Sequence, residues 1–439
     1  MAQFRTDKHI IDSGQVTTRY EVFMLSDRLT PSGTITDSFG RLRMSQPYTL
    51  FDSSHRFSDN GLWATSNTAG NSSYTFVENQ STINLNVTTT ANAEVIRETI
   101  KVFSYQPGKS LLIMNTFAME PPKANVRQRV GYFGESNGIY LENDGTTNYF
   151  VLRTNTSSTI VETRVPQSEW NIDKFDGTGY SSQTRSSTDH SNGVDVSKTN
   201  IFWIDVEWLG VGDVRCGFVV DGRMVPAHVF HNDNVNLLPY MTTASLPLRY
   251  EIKNTGVTTS NSTLKQICST VISEGGYELF GSQQAIQTPV DSPIDLTTAG
   301  TYYNLISLRL KTTPNRLDAI VIITALSLLA ITNNSYYNWQ LRAGGTTSGG
   351  SWTSAGNDSS VEYKIGSSTI TGGRILASGF TTSTTQSAVP VDILKEALFK
   401  FQLERNGLTN TPFELTLCVA ASINGSDIFA AMDWEEITR

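Results

Sequence analysis

Two histidines and an aspartate form a candidate metal site in the middle of the chain. His228 and His231 are followed closely by Asp233, and imidazole and carboxylate are the donors that zinc and other transition metals take. Val229 and Phe230, which flank the histidines, are typical of a strand edge, and no further spaced ligand follows. We therefore predict a structural role for these residues and no metal.

A pair of carboxylates, Asp205 and Glu207, lies on one face of a predicted strand, because residues two apart point the same way. Hydrolysis of a glycosidic bond needs two carboxyl groups roughly 5 to 10 Å apart across a sugar cleft. This pair meets that need only if a groove crosses its face, so an exposed polar strand face is favoured. Glu435 and Glu436, near the end of the sequence, are interpreted as solvated.

The motifs of common enzyme classes do not occur. The sequence has no Gly-rich phosphate loop of the Walker type, no Gly-x-Ser-x-Gly elbow and no His-Glu-x-x-His pair. We predict no catalytic residue and no cofactor, and we do not expect an enzyme. Tryptophans can stack on sugars, although most of them in β-sandwiches are core or interface residues. Trp352, in a Gly/Ser/Thr-rich loop, is the candidate glycan-binding residue.

Residues 59–284 are predicted to form a first antiparallel β-sandwich. Runs such as 82–87 alternate apolar and polar residues, which puts one face of each strand on a core. Asp144-Gly145 and Asp221-Gly222 separate apolar runs and tolerate the positive φ of hairpin turns, so each predicts a hairpin. The polar segment 171–199 predicts an exposed loop.

Residues 285–439 are predicted to form a second, jelly-roll-like sandwich. A hinge from Thr288 to Pro293 precedes a new series of short strand-like runs, beginning with 302–310. Only 391–398 has a helical spacing, which predicts one short helix. The fold class is therefore all-β, with two antiparallel sandwiches behind an extended N-terminal arm.

The arm is predicted over residues 1–58. It contains basic residues among short apolar clusters, with a turn at Pro31-Ser32-Gly33. Such a segment cannot bury enough surface by itself to offset the entropy of ordering it. We therefore expect the arm to lie against another chain.

Composition and charge exclude several classes of partner. Charged residues are 17% of the chain, and its formal net charge of −8 comes without a long Lys/Arg run, so neither nucleic acid nor an anionic bilayer is an expected partner. The apolar stretch 318–332 is shorter than the roughly 20 residues that cross a membrane, so it predicts buried strands and no membrane insertion. The first residues lack the apolar core of a secretion signal. Cys216, Cys268 and Cys418 are expected to be buried free thiols.

Several segments within about the first 280 residues form a recognisable series of motifs. The arm carries Asp37-Ser-Phe-Gly-Arg-Leu-Arg-Met-Ser45 followed by Gln46-Pro-Tyr-Thr-Leu-Phe-Asp-Ser53. Further motifs are Val130-Gly-Tyr-Phe-Gly134, the stretch from Ile201 to Gly212, Leu246-Pro-Leu-Arg-Tyr-Glu-Ile252 and Ser273-Glu-Gly-Gly-Tyr277. Together these segments resemble virion structural proteins of marine tailed phages, including cyanophages. A two-sheet sandwich with polar end loops also looks like the concanavalin or laminin-G type of jelly roll, which commonly binds glycans, although fold alone does not define activity.

The resemblance implies a virion component, located in the tail or on the capsid. In the first hypothesis the arm anchors the chain to other virion proteins: Arg41 and Arg43 pair with carboxylates of an adjacent subunit, and Phe39, Leu42, Tyr48, Leu50 and Phe51 supply apolar contact. The second hypothesis is a receptor-binding fibre or spike, or else a depolymerase, whose C-terminal loops contact a host surface glycan. Both predict a homo-oligomer, and we expect a trimer.

Overall fold

The computed structural model describes residues 2–12, 15–24, 45–178, 193–278, 281–366, 368–383 and 401–438, and for 2–24 and Thr438 it describes the backbone alone. Met1–Gln46 and Pro47–Arg439 form two compact units. In the first unit, β1 (Ala2–Asp12) and β2 (Gln15–Met24) form an antiparallel hairpin, in which Ala2 lies opposite Met24 and Asp12 opposite Gln15.

The second unit begins with the strands of a first sandwich. These are β3 (Tyr48–Ser54), β4 (Trp63–Asn67), β5 (Ser72–Val77), β6 (Thr82–Val87), β7 (Glu94–Thr99), β8 (Ser110–Ala118), β9 (Val126–Phe133), β10 (Gly138–Asn143), β11 (Asn148–Thr154), β12 (Val161–Pro166), β13 (Asn200–Glu207), β14 (Val214–Val220), β15 (Arg223–Phe230), β16 (Leu248–Asn254) and β17 (Ser262–Ser273). Single 3-10 turns lie at Glu78–Gln80 and Gln167–Glu169.

Two antiparallel sheets form this sandwich. One has the order β12-β11-β10-β9-β16-β7-β4, and the other has the order β15-β14-β13-β8-β17-β6-β5, with β3 also paired to β17. Alternation directs one side of each strand inward: Ile83, Leu85 and Val87 of β6 are buried in the core between the sheets, as the sequence pattern predicts.

Both predicted Asp-Gly hairpins are confirmed. The turn between β10 and β11 has Gly145 at a φ of 98°, and the turn between β14 and β15 has Asp221 at 50° and Gly222 at 72°. In the turn between β14 and β15, positive φ at both central residues matches the right-handed twist of the flanking strands. In the turn between β10 and β11 only Gly145 has positive φ, and a Cβ there would overlap the carbonyl oxygen of Lys123. The glycines are therefore needed at these two places.

The predicted arm extends too far along the chain. Residues 48–54, assigned from the sequence to the arm, form β3 and pair with Cys268–Ser273 of β17, and the hydroxyl of Thr270 donates to the carbonyl oxygen of Phe51 at 2.9 Å. The compact sandwich unit accordingly begins at Pro47. This pairing is invisible to local pattern analysis because 219 residues separate Phe51 from Thr270.

The second sandwich begins with β18 at Ser282, slightly before the predicted boundary. Its strands are β18 (Ser282–Gln287), β19 (Ile294–Leu296), β20 (Tyr303–Leu310), β21 (Ile320–Ala330), β22 (Tyr336–Ala343), β23 (Thr346–Thr347), β24 (Thr353–Ser354), β25 (Val361–Ile365), β26 (Ile370–Thr371), β27 (Arg374–Thr382), β28 (Arg405–Asn406), β29 (Thr411–Pro412), β30 (Leu415–Ala421) and β31 (Ser426–Thr438). The helix predicted at 391–398 lies outside the described residues.

A four-stranded and a six-stranded sheet enclose the second core. In the first, β18, β19 and β21 all pair with β31, and the second has the order β24-β25-β20-β30-β22-β27. The predicted all-β class is thus confirmed. In the described part of the chain, no helix has the length and apolar character needed to cross a bilayer.

An apolar junction joins the two sandwiches. Val102 of the first packs with Ile320 and Ile322 of β21, whose alternate residues Val321 and Ile323 face the second core. The strand is therefore buried on both faces, which explains why its sequence is apolar without alternation. The backbone continues the contact, because the amide of Arg405 donates to the carbonyl of Ile100 at 3.1 Å.

Two predictions about buried groups are wrong. Cys216 and Cys418 are buried free thiols as expected, but Cys268 is exposed, because a bulge between Gln266 and Cys268 changes the phase of β17. Glu436 is buried rather than solvated, and it accepts hydrogen bonds from the Ser360 amide at 2.7 Å and the Trp434 indole at 3.0 Å. Glu435 is buried as well.

Candidate functional site

The residues predicted for assembly contacts fall into two groups. Phe39, Arg41, Leu42 and Arg43 lie outside the described residues. Tyr48, Leu50 and Phe51 lie in β3 and make contacts within the chain, which corrects their assignment to a neighbouring subunit. Phe51 is 6% exposed in the first core, with its ring centroid 5.0 Å from that of Phe103. Tyr48 and Leu50 pack at the apolar junction of the sandwiches.

Trp352, the candidate for glycan stacking, has its ring occupied by cations. The guanidinium of Arg309 lies 4.2 Å from the ring centroid, and the ammonium of Lys364 lies 4.7 Å from it. Both side chains belong to adjacent positions on one sheet face, since Arg309 pairs with Glu362 and Lys364 is two residues further on. Trp352 therefore packs onto this face, and its role in sugar binding stays a prediction.

The histidines of the candidate metal site point into different surroundings. His228 is buried, and its ring stacks on Phe150 with centroids 6.4 Å apart. Burial and the nearby His231 lower the pKa of His228 to about 4. The side chain of His231 is 58% exposed, with Nδ1 3.1 Å from Asp213 Oδ2. Among the described residues no group of three or more potential ligands is arranged around a metal position.

Asp205 and Glu207 lie on β13 as predicted. Their strand neighbours Phe202, Ile204 and Val206 face the core, so the carboxylates project from the outer face of the sheet. Asp205 Oδ2 is 3.8 Å from Arg215 Nη1 on the adjacent strand β14. This arrangement agrees with a polar sheet face.

An ion-pair array that no sequence motif indicates crosses the outer face of the other sheet. Arg129 on β9 contacts Glu142 on β10 at 2.6 Å and Glu251 on β16 at 3.5 Å, while Arg249 contacts Glu251 at 3.2 Å and Glu98 on β7 at 3.4 Å. Opposite charges thus alternate across four neighbouring strands. The array is formed by cross-strand pairs between segments that are distant in sequence, so the spacing of residues within one segment does not predict it.

Aromatic rings lie beneath these charges. Tyr140 is fully buried, with the guanidinium groups of Arg129 and Arg153 each 5.1 Å from its ring centroid. Its hydroxyl donates to Glu162 Oε1 at 2.8 Å, and Arg153 contacts the same carboxylate at 2.7 Å. The face is therefore filled by its own side chains, and Tyr140 cannot serve as an open stacking surface.

Two carboxylates of this face, Glu251 and Glu162, have pKa values below their ordinary ones. Burial by itself raises the pKa of Glu251, but Arg249, Arg129 and Arg127 outweigh burial and bring that pKa to about 2. The pKa of Glu162 is also below its ordinary value, because Arg129 and Arg153 outweigh its burial. A general acid needs the opposite shift, a pKa raised toward the working pH. These two groups are suited to ion pairing instead.

The array ends in a cleft of about 360 Å³ between the two sandwiches. Glu98 and Arg249 of the first sandwich line one side, and Arg405 and Asp318 of the second line the other. Arg405 contacts Glu98 at 2.6 Å and Asp318 at 3.3 Å, so the charges across the cleft compensate one another. A Cβ at Gly407 would overlap both the Arg405 guanidinium and the Glu98 carboxylate, which requires glycine there.

A separate polar cluster lies between the sheets of the first sandwich. Arg97 is 1% exposed and forms an ion pair with Asp59, and its Nε donates to Gln266 Oε1 at 2.7 Å. His55 is fully buried. Burial and then Arg97 lower its pKa to about 4. The side chain of Asp59 is 35% exposed, so the cluster reaches the surface there, and it connects the segment that follows β3 to β7 and β17.

The second sandwich exposes aromatic side chains that the sequence analysis did not single out. Tyr336 on β22 is 64% exposed and Phe380 on β27 is 75% exposed. Tyr337 and Leu341 of β22 are buried, so alternation along the strands indicates that Tyr336 and Phe380 face outward. Alternation does not indicate that the two residues lie close together.

No protein-family model and no curated protein matches the chain. Several solved structures resemble about half of it. The carbohydrate recognition domain of Emp47p is 11% identical with a TM-score of 0.32, over 53% of this chain and 98% of that domain. The CBM2 module of the evolved Dit of Lactobacillus casei BL23 phage J-1 is 7% identical with a TM-score of 0.34, over 54% and 100% of the two chains. A Bacillus licheniformis beta-glucanase is 10% identical with a TM-score of 0.31, over 52% and 99%. At these values the likenesses do not define an activity.

Proposed function

We propose that the protein is a structural component of a phage virion, a tail fibre or spike or a capsid decoration, attached to other virion proteins by its N-terminal segment. The observation that carries the proposal is the hairpin of β1 and β2, which within the described residues forms a two-stranded sheet. An isolated two-stranded hairpin is marginal in water, and it gains stability when further strands or a packing surface cover it. Another subunit would supply that surface.

The resemblance of the segments from Asp37 to Tyr277 to virion proteins of marine tailed phages supports the same role. The junction between the sandwiches also fits it, because buried apolar contacts and the Arg405–Glu98 pair make the two sandwiches a stiff body. Particle surfaces are symmetric, so the chain would assemble with copies of itself, and a trimer is the state that we propose.

Catalysis is not part of the proposal. The carboxylates at the outer face of the first sandwich are paired with arginines, and Glu251 in particular has a pKa of about 2, far from that of a general acid. A depolymerase would need an acid and a base or nucleophile facing an open groove.

Deletion of residues 1–46 tests the assembly role. The remaining unit from Pro47 retains both sandwiches, so it should stay folded. We expect it to be missing from particles produced in infected cells, whereas the full chain is incorporated. Arg56→Ala, a change outside the hairpin and outside both cores, is the control and should be incorporated normally. Normal incorporation of the deletion variant would refute the proposal.

Recognition of a host surface glycan is a second candidate function, and it is compatible with the first. It is favoured by Tyr336 and Phe380, which are both exposed and lie on the neighbouring strands β22 and β27, because contiguous exposed apolar side chains can mark a binding surface. Binding of the full chain to an oligosaccharide array tests it, and a chain that binds no sugar would exclude it.

A further inference from the structure

The outer face of strands β22 and β27 is a ladder of alternating side chains. Tyr337 and Leu341 of β22 are buried in the second core. Side chains alternate along a strand, so Tyr336, Asn338 and Gln340 point outward. On β27, the residues opposite these three are Thr382, Phe380 and Ser378, respectively. Phe380 therefore stands beside Asn338 on the same face, diagonal to Tyr336.

Two aromatic rings of this ladder are in solvent. Tyr336 is 64% and Phe380 75% exposed, and Ile375 further along β27 is 51% exposed. Two residues along a strand and one strand across place the Cα atoms of Tyr336 and Phe380 roughly 8 Å apart. At that separation a single oligosaccharide can contact both aromatic rings.

The side-chain amides of Asn338, opposite Phe380, and of Gln340, two residues further along β22, are held in fixed orientations. Asn338 Nδ2 donates to the carbonyl of Gly379 at 3.1 Å, and its Oδ1 accepts from the hydroxyl of Tyr302. Gln340 Nε2 donates to the Tyr302 hydroxyl at 2.8 Å, and Gln340 Oε1 accepts from Arg342 Nε at 2.8 Å. A ligand that binds here does not have to order these groups, which reduces the entropic cost of binding.

The ladder keeps hydrogen-bonding capacity for a ligand. An amide nitrogen has two N–H groups, and the hydrogen bond to Gly379 uses one of those of Asn338. An amide oxygen has two lone pairs, and the bond from Arg342 uses one of those of Gln340. The donor on Asn338 and the acceptor on Gln340, two residues apart on β22, suit sugar hydroxyls, which both accept and donate.

Charge narrows the class of ligand. The outward positions Tyr336, Asn338 and Gln340 on β22 and Ser378, Phe380 and Thr382 on β27 are all uncharged. Arg342, at the end of the ladder, is engaged by Gln340 and by the ring of Tyr302 at 4.5 Å. A neutral oligosaccharide is therefore favoured over a strongly charged polymer.

We infer that this face of β22 and β27 binds a neutral glycan chain, with successive hexose rings stacked on Tyr336 and Phe380 and hydroxyls bound by Asn338 and Gln340. The inference rests on the second candidate function and gives it a site. It assigns the stacking role to these two aromatics and not to Trp352, whose ring already contacts Arg309 and Lys364.

The test uses the full chain and an array of neutral glucan, mannan and galactan oligosaccharides together with uronate-containing ones. The best-bound oligosaccharide is then titrated by calorimetry into four variants. Tyr336→Ala and Phe380→Ala should each weaken binding roughly tenfold, as expected for loss of one stacking contact. Phe57→Ala, which removes a ring 78% exposed on the first sandwich, and Trp352→Ala should leave affinity unchanged.

Asn338→Asp gives a second measurement that does not depend on the rings. It keeps the size of the side chain, removes the N–H donors and adds a charge, so it should weaken binding. Thermal unfolding of the same variant measures the separate cost of losing the hydrogen bond to Gly379.

The outcomes separate the site from the function. A full chain that binds no oligosaccharide overturns both the inference and the glycan-binding candidate. Binding that survives Tyr336→Ala and Phe380→Ala leaves the candidate function intact and overturns the site. A second copy of the chain paired along β27 is the competing occupant of this face. If Tyr336→Ala and Phe380→Ala lower the molecular mass of the protein in solution and leave its sugar affinity unchanged, the face is an interface between copies of the chain and not a glycan site.

Discussion

Arg405 Nη1 lies 2.6 Å from Glu98 Oε1, across the boundary between the two sandwiches and between residues 307 apart in the chain. Both side chains are nearly inaccessible, at 6% and 3% exposure. Glu98 Oε2 also lies 3.4 Å from Arg249 Nη1, so one carboxylate forms ion pairs with two guanidinium groups. The pair is thus the point where the ion-pair array of the first sandwich meets the second sandwich.

Neutralising Glu98 should destabilise the whole sandwich unit. Glu98→Gln keeps the shape of the side chain but leaves Arg405 and Arg249 without their shared counter-charge in a buried place, which costs about 3 to 5 kcal/mol. Denaturant unfolding measures the loss. The control is Glu362→Gln, which breaks the partly exposed pair with Arg309 and should cost less than about 1 kcal/mol. Equal effects of the two substitutions would contradict a special role for Glu98.

A methyl group at residue 407 should disturb the same pair from the other side. Gly407→Ala places a Cβ where the Arg405 guanidinium and the Glu98 carboxylate lie, and overpacking of this kind costs about 1 to 3 kcal/mol. Gly356→Ala is the matched control, since nothing lies within 4 Å of its added Cβ, and it should change the free energy of unfolding by less than about 0.5 kcal/mol. Thermal unfolding of the two variants side by side checks the difference.

Two truncations should behave differently although only twelve residues separate their end points. Removal of residues 1–46 leaves β3 in its sheet, and the melting temperature should be close to that of the full chain. Removal of residues 1–58 takes away β3 and the buried Phe51, and losing such a ring alone costs about 3 to 5 kcal/mol. Soluble expression and thermal unfolding distinguish them. Indistinguishable stability would mean that β3 is dispensable to the first sandwich.

Stability should fall in mild acid because of buried histidine. In the unfolded chain His55 has its ordinary pKa of 6.5, and in the folded chain the value is about 4. Between these values the unfolded state binds a proton that the folded state does not, so the free energy of unfolding decreases as pH falls from 6.5 to 4. His228, whose pKa is also about 4 in the folded chain, contributes to the same decrease. His55→Gln should therefore reduce the slope of this part of the stability profile, and the double variant His55→Gln/His228→Gln should flatten it further.

The further decrease in the free energy of unfolding at lower pH has a different origin. Glu251 has a folded pKa of about 2 and an ordinary value of 4.5, so the stability that it contributes is complete above 4.5 and is lost as pH falls toward 2. This decrease should persist in the His55→Gln variant. A profile that is flat below pH 4.5 in that variant would refute the assignment to Glu251.

Local patterns were sufficient for the all-β class and for turns. Asp144-Gly145 and Asp221-Gly222 determine their hairpins through backbone conformation alone, so the sequence was enough to find both. Features made by distant segments were not predicted. The apolar character of Phe51 is the same whether its partner is another chain or β17, and only the fold distinguishes the two.

The candidate site shows the same division. Alternation predicted that Asp205 and Glu207 would share a sheet face, which they do. The Arg–Glu array and the Tyr336–Phe380 ladder depend on which strands become neighbours and in what register, and the period of a single strand carries no such information. The prediction that Glu435 and Glu436 are solvated was wrong because β31 is a central strand of its sheet and not an edge strand.

The pairing of β17 determines when the first sandwich can form during synthesis. One side of this strand pairs with β8, and the other pairs first with β6 and then with β3. The ribosome must therefore release residue 273 before β3, made more than two hundred residues earlier, finds its neighbour. Sequence separations of this size slow folding and leave strand edges open meanwhile. A nascent chain of this protein should accordingly depend on chaperones, or on slow translation, until β17 has emerged.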